Sequence, residues 1–163
     1  MDPIHERDGE LHVEDVPASR IVSEFGTPTY VYSSKAIAEA YQTFADAFRA
    51  RSARVCYAVK ANSNLGVLSL LARLGAGFDI VSGGELTRVL RAGADPSRIV
   101  FSGVGKQTNE MEQALIAGIA CFNVESASEL HRLERVGASI DIPVPVSIRV
   151  NPDVDAQTHP YIS

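Results

Sequence analysis

The sequence has little cysteine, no basic clusters and no long apolar runs, and each shortage excludes a class of protein. Its two cysteines, Cys56 and Cys121, lie in apolar segments without metal-ligand spacing, so we expect buried thiols in a reducing compartment. The net charge is −5 and no run of lysine or arginine occurs, which argues against nucleic acid and membrane surfaces as partners. No segment is apolar enough to span a bilayer, and the polar residues 1–16 lack a secretory signal. We therefore expect a cytoplasmic protein.

From about residue 54 onward, apolar segments alternate with amphipathic helical patterns. The apolar residues of each segment run together rather than alternating with polar ones, which is typical of parallel strands buried on both faces. The predicted strands are Arg54–Lys60, Gly77–Val81, Arg98–Ser102, Ala120–Val124 and Val144–Val150. Capping-box spacing predicts helix starts at Ser82 with Glu85, Asn109 with Glu112 and Ser126 with Glu129, and glycines predict helix ends at Gly75, Gly93, Gly118 and Gly137.

Residues 1–32 do not follow this repeat. We predict a short strand in Leu11–Val16, a helix in Ser19–Phe25 and a strand in Thr29–Tyr32 after a Gly-Thr-Pro turn. Ser34 is expected to cap a longer helix that runs to about Arg49. We assign residues 1–32 to a segment outside the repeated unit and residues 33–163 to the unit itself.

The alternation of strands and helices predicts an α/β fold with a parallel sheet. Five strands are too few to close a (β/α)8 barrel. The local patterns leave two possibilities open: a truncated barrel, or a complete open sheet of the flavodoxin type.

Polar side chains end most of the predicted strands. Ligands bind at this edge in parallel α/β folds, but polar residues there are also ordinary because strand ends meet solvent. Lys60 is less ordinary, because it ends a strongly apolar strand. Desolvation at a barrel mouth favours the neutral amine that a covalent bond to an aldehyde requires. The alternative is a solvated lysine whose stem packs on the apolar surface. The strand-end residues are Lys60, Asp79, Ser102, Glu125 and Arg149.

Several segments, in order, resemble a known family. YAVKAN at Tyr57–Asn62 is similar to the cofactor-lysine motif of the fold-type III pyridoxal-phosphate enzymes, the alanine racemase and ornithine decarboxylase group. Within that group the chain most resembles the diaminopimelate decarboxylases, and the similarity covers nearly everything after Pro17. The other segments that carry it are Gly26–Tyr32, Gly77–Leu86, Arg149–Asp153 and Thr158–Ser163.

The resemblance implies a partial (β/α)8 barrel that binds pyridoxal 5'-phosphate, with residues 1–32 belonging to a second, β-rich domain. It implies that Lys60 bonds covalently to the cofactor and that Asp79 holds the lysine amine. Arg149 would balance Asp79 or the cofactor, and Glu85 would lie near the cofactor, although Glu85 also fits a helix cap. No metal is implied, and His159 matches no family role.

The implied activity is decarboxylation of meso-2,6-diaminopimelate to L-lysine and CO2, the last step of bacterial lysine biosynthesis, by a homodimer. The family's glycine-rich phosphate segment, ring-stacking histidine and partner-subunit cysteine segment have no match here. We therefore expect an incomplete part of the enzyme that is inactive alone. Alternatives are a decarboxylase of ornithine, arginine or carboxynorspermidine, an amino-acid racemase, a non-catalytic cofactor-binding protein, or an open α/β binding domain.

Overall fold

The computed structural model describes residues 2–150 and residue 152. The chain divides into two compact units, of which the first ends at Arg54 and the second begins at Val55. The predicted boundary after residue 32 lies inside the first unit, and the assignment of residues 1–32 to a β-rich domain stays a prediction. Within the described part of the chain, no helix is long and apolar enough to cross a membrane.

The first unit begins with a small antiparallel sheet and continues with two helices. Strand β1 pairs with β2, and β2 pairs with β3. Tight turns join the strands, and the residues with positive φ, Asp8, Gly9 and Glu14, lie in them. The elements are β1 (Ile4–Arg7), β2 (Glu10–Val13), β3 (Val16–Pro17), α1 (Ala18–Phe25) and α2 (Ser34–Ala47).

Three predictions for the first unit are wrong in detail. The predicted strand Leu11–Val16 is divided by a tight turn between β2 and β3. Thr29–Tyr32 is not a strand, although its residue types favour one, because no described strand pairs with it. Helix α2 is capped by Ser33 rather than Ser34, since the Ser33 hydroxyl accepts a hydrogen bond from the Ala36 N–H at 2.9 Å.

The second unit is a five-stranded parallel sheet whose strands alternate with helices. The strand order is β4-β5-β6-β7-β8, so every strand neighbours the next one in sequence. This order excludes the flavodoxin-type sheet and is that of consecutive strands in a (β/α)8 barrel. The elements are β4 (Cys56–Ala58), α3 (Leu65–Arg73), β5 (Gly77–Ile80), α4 (Gly83–Arg91), β6 (Ile99–Phe101), α5 (Thr108–Ala117), β7 (Cys121–Val124), α6 (Ala127–Ile140) and β8 (Val146–Ile148).

The core of the second unit lies between the sheet and its helices. Phe78, Phe101 and Phe122 are completely buried on one face of the sheet, and the rings of Phe101 and Phe122 stack with centroids 5.7 Å apart. Because side chains alternate along a strand, the residues next to these phenylalanines in sequence point to the opposite face of the sheet. That opposite face carries Asp79 and Asn123, which are only partly buried.

Two helix boundaries differ from the predicted ones. Helix α5 begins after Gln107, where the Glu110 carboxylate accepts the Gln107 N–H at 2.9 Å, and not at Asn109. Gly137 does not end α6, which continues to Ile140 and ends at Asp141 in the left-handed conformation. Gly137 is needed for close packing instead, because a Cβ there would lie 2.5 Å from Cγ2 of Val144.

Candidate active site

Lys60 lies just past the carboxyl end of β4. It occupies a single 3₁₀ turn, Val59–Ala61, in which Val59 is completely buried and anchors the turn while Lys60 is exposed. The turn contacts β5, and Ala58, two residues before Lys60, is the register partner of Asp79. The lysine amine and the Asp79 carboxylate therefore belong to adjacent strand ends at the same edge of the sheet.

Asp79 takes part in a chain of hydrogen bonds that crosses three strands. Its Oδ1 accepts from the Ser102 hydroxyl at 2.5 Å, and the Ser102 Oγ accepts from the side-chain amide of Asn123 at 2.9 Å. These residues lie on β5, just after β6, and on β7. The carboxylate is thus held in one orientation by neutral groups.

Arg149, just after β8, forms an ion pair with Glu125, just after β7. Its Nη1 lies 3.0 Å from Glu125 Oε2, and the other carboxylate oxygen accepts the Gly103 N–H at 3.0 Å. Asp79 lies three strands away from Arg149 in the sheet order, so balancing of Asp79 by Arg149 stays a prediction.

Glu85 serves as a cap of α4, as its spacing from Ser82 predicts. The Glu85 N–H donates to the Ser82 hydroxyl at 3.2 Å, and its carboxylate Oε2 accepts the Val81 N–H at 2.7 Å. This accounts for one carboxylate oxygen, so the capping role and the predicted role near the cofactor are compatible.

Lys106, which sequence reasoning missed, is buried behind the same strand ends. Its ammonium has three acceptors, namely Glu129 Oε1 at 2.6 Å, Gly103 O at 2.7 Å and Asn123 O at 2.8 Å. Its side chain is 0% exposed. With every proton bonded and no access to solvent, Lys106 cannot compete with Lys60 as a nucleophile.

A repeated sequence pattern accounts for the capping role of Glu129, although it gives no sign of the pairing with Lys106. A serine and a glutamate three residues later follow both β5 (Ser82 and Glu85) and β7 (Ser126 and Glu129), and both glutamates cap in the same way. The second oxygen of Glu129 is neutralised by Lys106. No such cation lies against Glu85 among the described residues.

The edge therefore combines an exposed amine, an oriented carboxylate and a guanidinium. This donor set suits a cofactor that has an aldehyde and an anionic group: Lys60 can bond the aldehyde, and Arg149 can attract the anion. In the described residues, no group of histidine, cysteine and acidic side chains could hold a metal ion. The segments Arg149–Asp153 and Thr158–Ser163, as well as His159, lie partly or wholly outside the described residues.

The curated proteins and the solved structures to which the chain is similar include diaminopimelate decarboxylases in both cases. The chain is 63% identical over its whole length to diaminopimelate decarboxylase of Pseudomonas aeruginosa, of which it spans 39%. It is similar to the crystal structure of diaminopimelate decarboxylase from M. jannaschii in complex with L-lysine, with 36% identity, a TM-score of 0.92, and coverage of 99% of this chain and 38% of that one. It is also similar to the crystal structure of diaminopimelate decarboxylase from Helicobacter pylori in complex with L-lysine. The identity is 49%, the TM-score is 0.85, and the match covers 88% of this chain and 36% of that one.

The chain thus spans about two fifths of the length of the curated relatives that it matches. Residues 34–163, most of the chain, match the family described as pyridoxal-dependent decarboxylase, pyridoxal binding domain. The sequential parallel strands and the lysine just past β4 agree with this match. The chain therefore belongs to the pyridoxal-dependent decarboxylase family, through its pyridoxal binding domain.

Proposed function

We propose that the whole protein decarboxylates meso-2,6-diaminopimelate to L-lysine and CO2, as the last step of bacterial lysine biosynthesis. The observation that carries this proposal is the 63% identity to a diaminopimelate decarboxylase over all 163 residues. The site geometry supports it, because Lys60 and Asp79 occupy adjacent strand ends in the domain that the family uses for pyridoxal binding.

Lys60 is the residue that we propose to hold the cofactor. When bound, pyridoxal phosphate supplies an aldehyde for a bond to an amine and a ring that accepts the electron pair released with CO2. The Lys60 amine is exposed at this edge and would hold the cofactor there through its aldehyde. The 3₁₀ turn, anchored by buried Val59, fixes where the amine can reach.

Asp79, Arg149 and Glu85 have supporting roles in this proposal. Asp79, the register partner of Ala58, supplies a carboxylate at the strand end next to Lys60, where it can stabilise the positive charge of the Lys60 amine when that amine is protonated. Arg149 supplies positive charge for an anionic group of the cofactor or substrate. Glu85 lies at the start of α4, and its carboxylate is free to contact a cationic group through the oxygen that does not bond Val81.

We further propose that the protein acts as a homodimer in the cytoplasm. The cytoplasmic placement agrees with the cysteines, neither of which forms a disulfide in the described part of the chain. The substrate is a small amino acid with two amino-acid ends, of which the enzyme must distinguish one.

The test is a substrate comparison with the whole protein loaded with pyridoxal phosphate. We expect CO2 release and L-lysine from meso-diaminopimelate, and a kcat/KM at least about 100-fold lower for ornithine and arginine. Higher kcat/KM for ornithine or arginine would move the assignment to another decarboxylase of the family. Cofactor binding without any CO2 release would favour a non-catalytic cofactor-binding protein.

A further inference from the structure

We propose that Ser102 is a positioning residue for Asp79 and that Asn123 in turn orients Ser102. This inference rests on the proposed function, in which Asp79 acts on the Lys60 amine. It adds two residues to the site that have no covalent role and do not contact the amine.

The three side chains share one face of the sheet. Asp79 pairs in register with Val100, and Val100 pairs with Cys121. Ser102 and Asn123 each follow two residues later on their chains, so alternation returns them to the face that carries Asp79. The three groups therefore form a row across adjacent strands at the carboxyl edge.

The chemistry of the groups sets the direction of the hydrogen bonds. An ionised carboxylate only accepts, so the 2.5 Å contact requires the Ser102 hydroxyl to donate to Asp79 Oδ1. That donation uses the only proton of the hydroxyl, and Ser102 Oγ must then accept from the Asn123 amide at 2.9 Å. The two bonds run in the same direction, from Asn123 through Ser102 to Asp79, and each polarises the other.

The backbone on both sides of this row is held by buried Lys106 and half-buried Glu125. Lys106 donates to the carbonyls of Gly103, the residue after Ser102, and of Asn123 itself. Glu125 accepts the N–H of Gly103. Ser102 and Asn123 are thus fixed relative to each other, and a fixed donor restricts the carboxylate more than a mobile one does.

The two oxygens of the Asp79 carboxylate therefore have different partners in this proposal. Oδ1 is occupied by Ser102, which leaves Oδ2 for the amine of Lys60 from the neighbouring strand end. Without the Ser102 hydroxyl, the carboxylate can rotate about its last side-chain bond and no longer presents Oδ2 to the amine in a fixed direction.

The experiment compares Ser102→Ala, Ser102→Thr, Asn123→Ala and the double variant Ser102→Ala/Asn123→Ala in the whole protein, with Ser139→Ala as a control. The Ser139 hydroxyl also bonds within the second unit, to the Val136 carbonyl on α6, but lies outside the row. One readout is the rate at which the visible absorption of the lysine-bound cofactor appears when pyridoxal phosphate is added to apoprotein. The other is kcat and KM for meso-diaminopimelate.

We expect Ser102→Ala to slow cofactor loading and to lower kcat, each by about 10-fold, with KM changed by less than about 3-fold. Ser102→Thr keeps the hydroxyl and should restore both values to within about 3-fold of wild type. Asn123→Ala should have a smaller effect in the same direction, and the double variant should lose no more than Ser102→Ala alone, because the residues act in series.

Wild-type loading and kcat in Ser102→Ala would overturn the inference, as would failure of threonine to rescue or full additivity in the double variant. Lys60→Ala separates this from the proposed function. If it abolishes the visible band while Ser102→Ala behaves as wild type, only the inference fails. If the band survives Lys60→Ala, the role of Lys60 in the proposed function fails and the inference fails with it.

Discussion

The ammonium of Lys106 lies 2.6 Å from the carboxylate of Glu129, and the two side chains are 0% and 9% exposed. The pair joins the loop after β6 to the start of α6. Since the lysine also bonds two backbone carbonyls, it connects the ends of β6 and β7 directly behind the proposed site. Lys106 is therefore a buried structural residue that holds the ends of these two strands together, whereas Lys60 is exposed.

Lys106→Met should destabilise the protein by about 3–5 kcal/mol, because it leaves the Glu129 carboxylate buried without a counter-charge. Adding Glu129→Gln should recover part of this loss, since glutamine keeps an oxygen for the Glu125 N–H. The control is Lys35→Met, which removes an exposed pair with Glu39 at 3.9 Å and should cost less than about 1 kcal/mol. Urea unfolding measures the free energy of unfolding of all three variants. Equal losses for Lys106→Met and Lys35→Met would contradict the structural role of Lys106.

Glu85→Gln separates the two roles of Glu85. Glutamine retains an acceptor for the Val81 N–H, so stability should stay within about 1 kcal/mol of wild type. If the charge also acts near the cofactor, kcat/KM should fall by about 10-fold or more. Glu110→Gln, which alters a similar cap on α5, is the control and should leave kcat/KM unchanged. A fully active Glu85→Gln variant would leave Glu85 as a helix cap alone.

The stability of the first unit should depend on pH through Glu14. Its Oε1 accepts the Lys35 N–H at 2.9 Å and the Ser33 hydroxyl at 2.7 Å at the start of α2. These bonds lower the pKa of Glu14, with the Lys35 N–H as the largest cause and the Ser33 hydroxyl next. Because the folded pKa lies below the unfolded one, the stabilisation is complete above the ordinary glutamate pKa and is lost as pH falls through the lowered value.

The thermal midpoint of Glu14→Gln should therefore lie below that of wild type at neutral pH, and the difference should shrink as the solution is acidified. Exposed Glu24 on α1 supplies the control, because Glu24→Gln should show no such pH-dependent difference. A Glu14→Gln difference that is constant down to strongly acidic pH would contradict the assignment.

Much of the second unit follows from the sequence, because its strands and helices are specified locally. The five apolar runs of the second unit, which predicted the strands, became β4 to β8 with shortened ends. Ser82 and Ser126 cap their helices as expected, since the serine and the first turn lie within a few residues of each other. The resemblance around YAVKAN identified the family that the comparisons confirmed.

What the sequence did not reveal depends on distant partners. The burial of Lys106 requires Glu129, which lies 23 residues away, and its glycine-rich loop alone suggests a solvated lysine. The Asp79–Ser102 bond likewise depends on the register of two strands. Thr29–Tyr32 has strand-forming residues, but strand formation requires a pairing partner that local sequence cannot supply.

Residues 1–163 expressed alone should not release CO2 from meso-diaminopimelate. Among the described residues, β4 and β8 each pair on one side only, and Val146 and Ile148 of β8 are exposed, so the isolated sheet has open edges. The family segments that bind phosphate and stack on the ring also have no match within these residues. CO2 release comparable to that of the whole protein would show that the site is complete within this part.

The most direct test of the account is to locate the lysine that bonds the cofactor. The chain has three lysines, of which Lys106 is buried and Lys35 lies on the surface of α2. The whole protein is loaded with pyridoxal phosphate, reduced with borohydride, digested and mapped by mass spectrometry. We predict a pyridoxyl adduct on Lys60, loss of that adduct and of CO2 release in Lys60→Ala, and no change in Lys35→Ala. An adduct on any other lysine, with full activity in Lys60→Ala, would contradict the central claim.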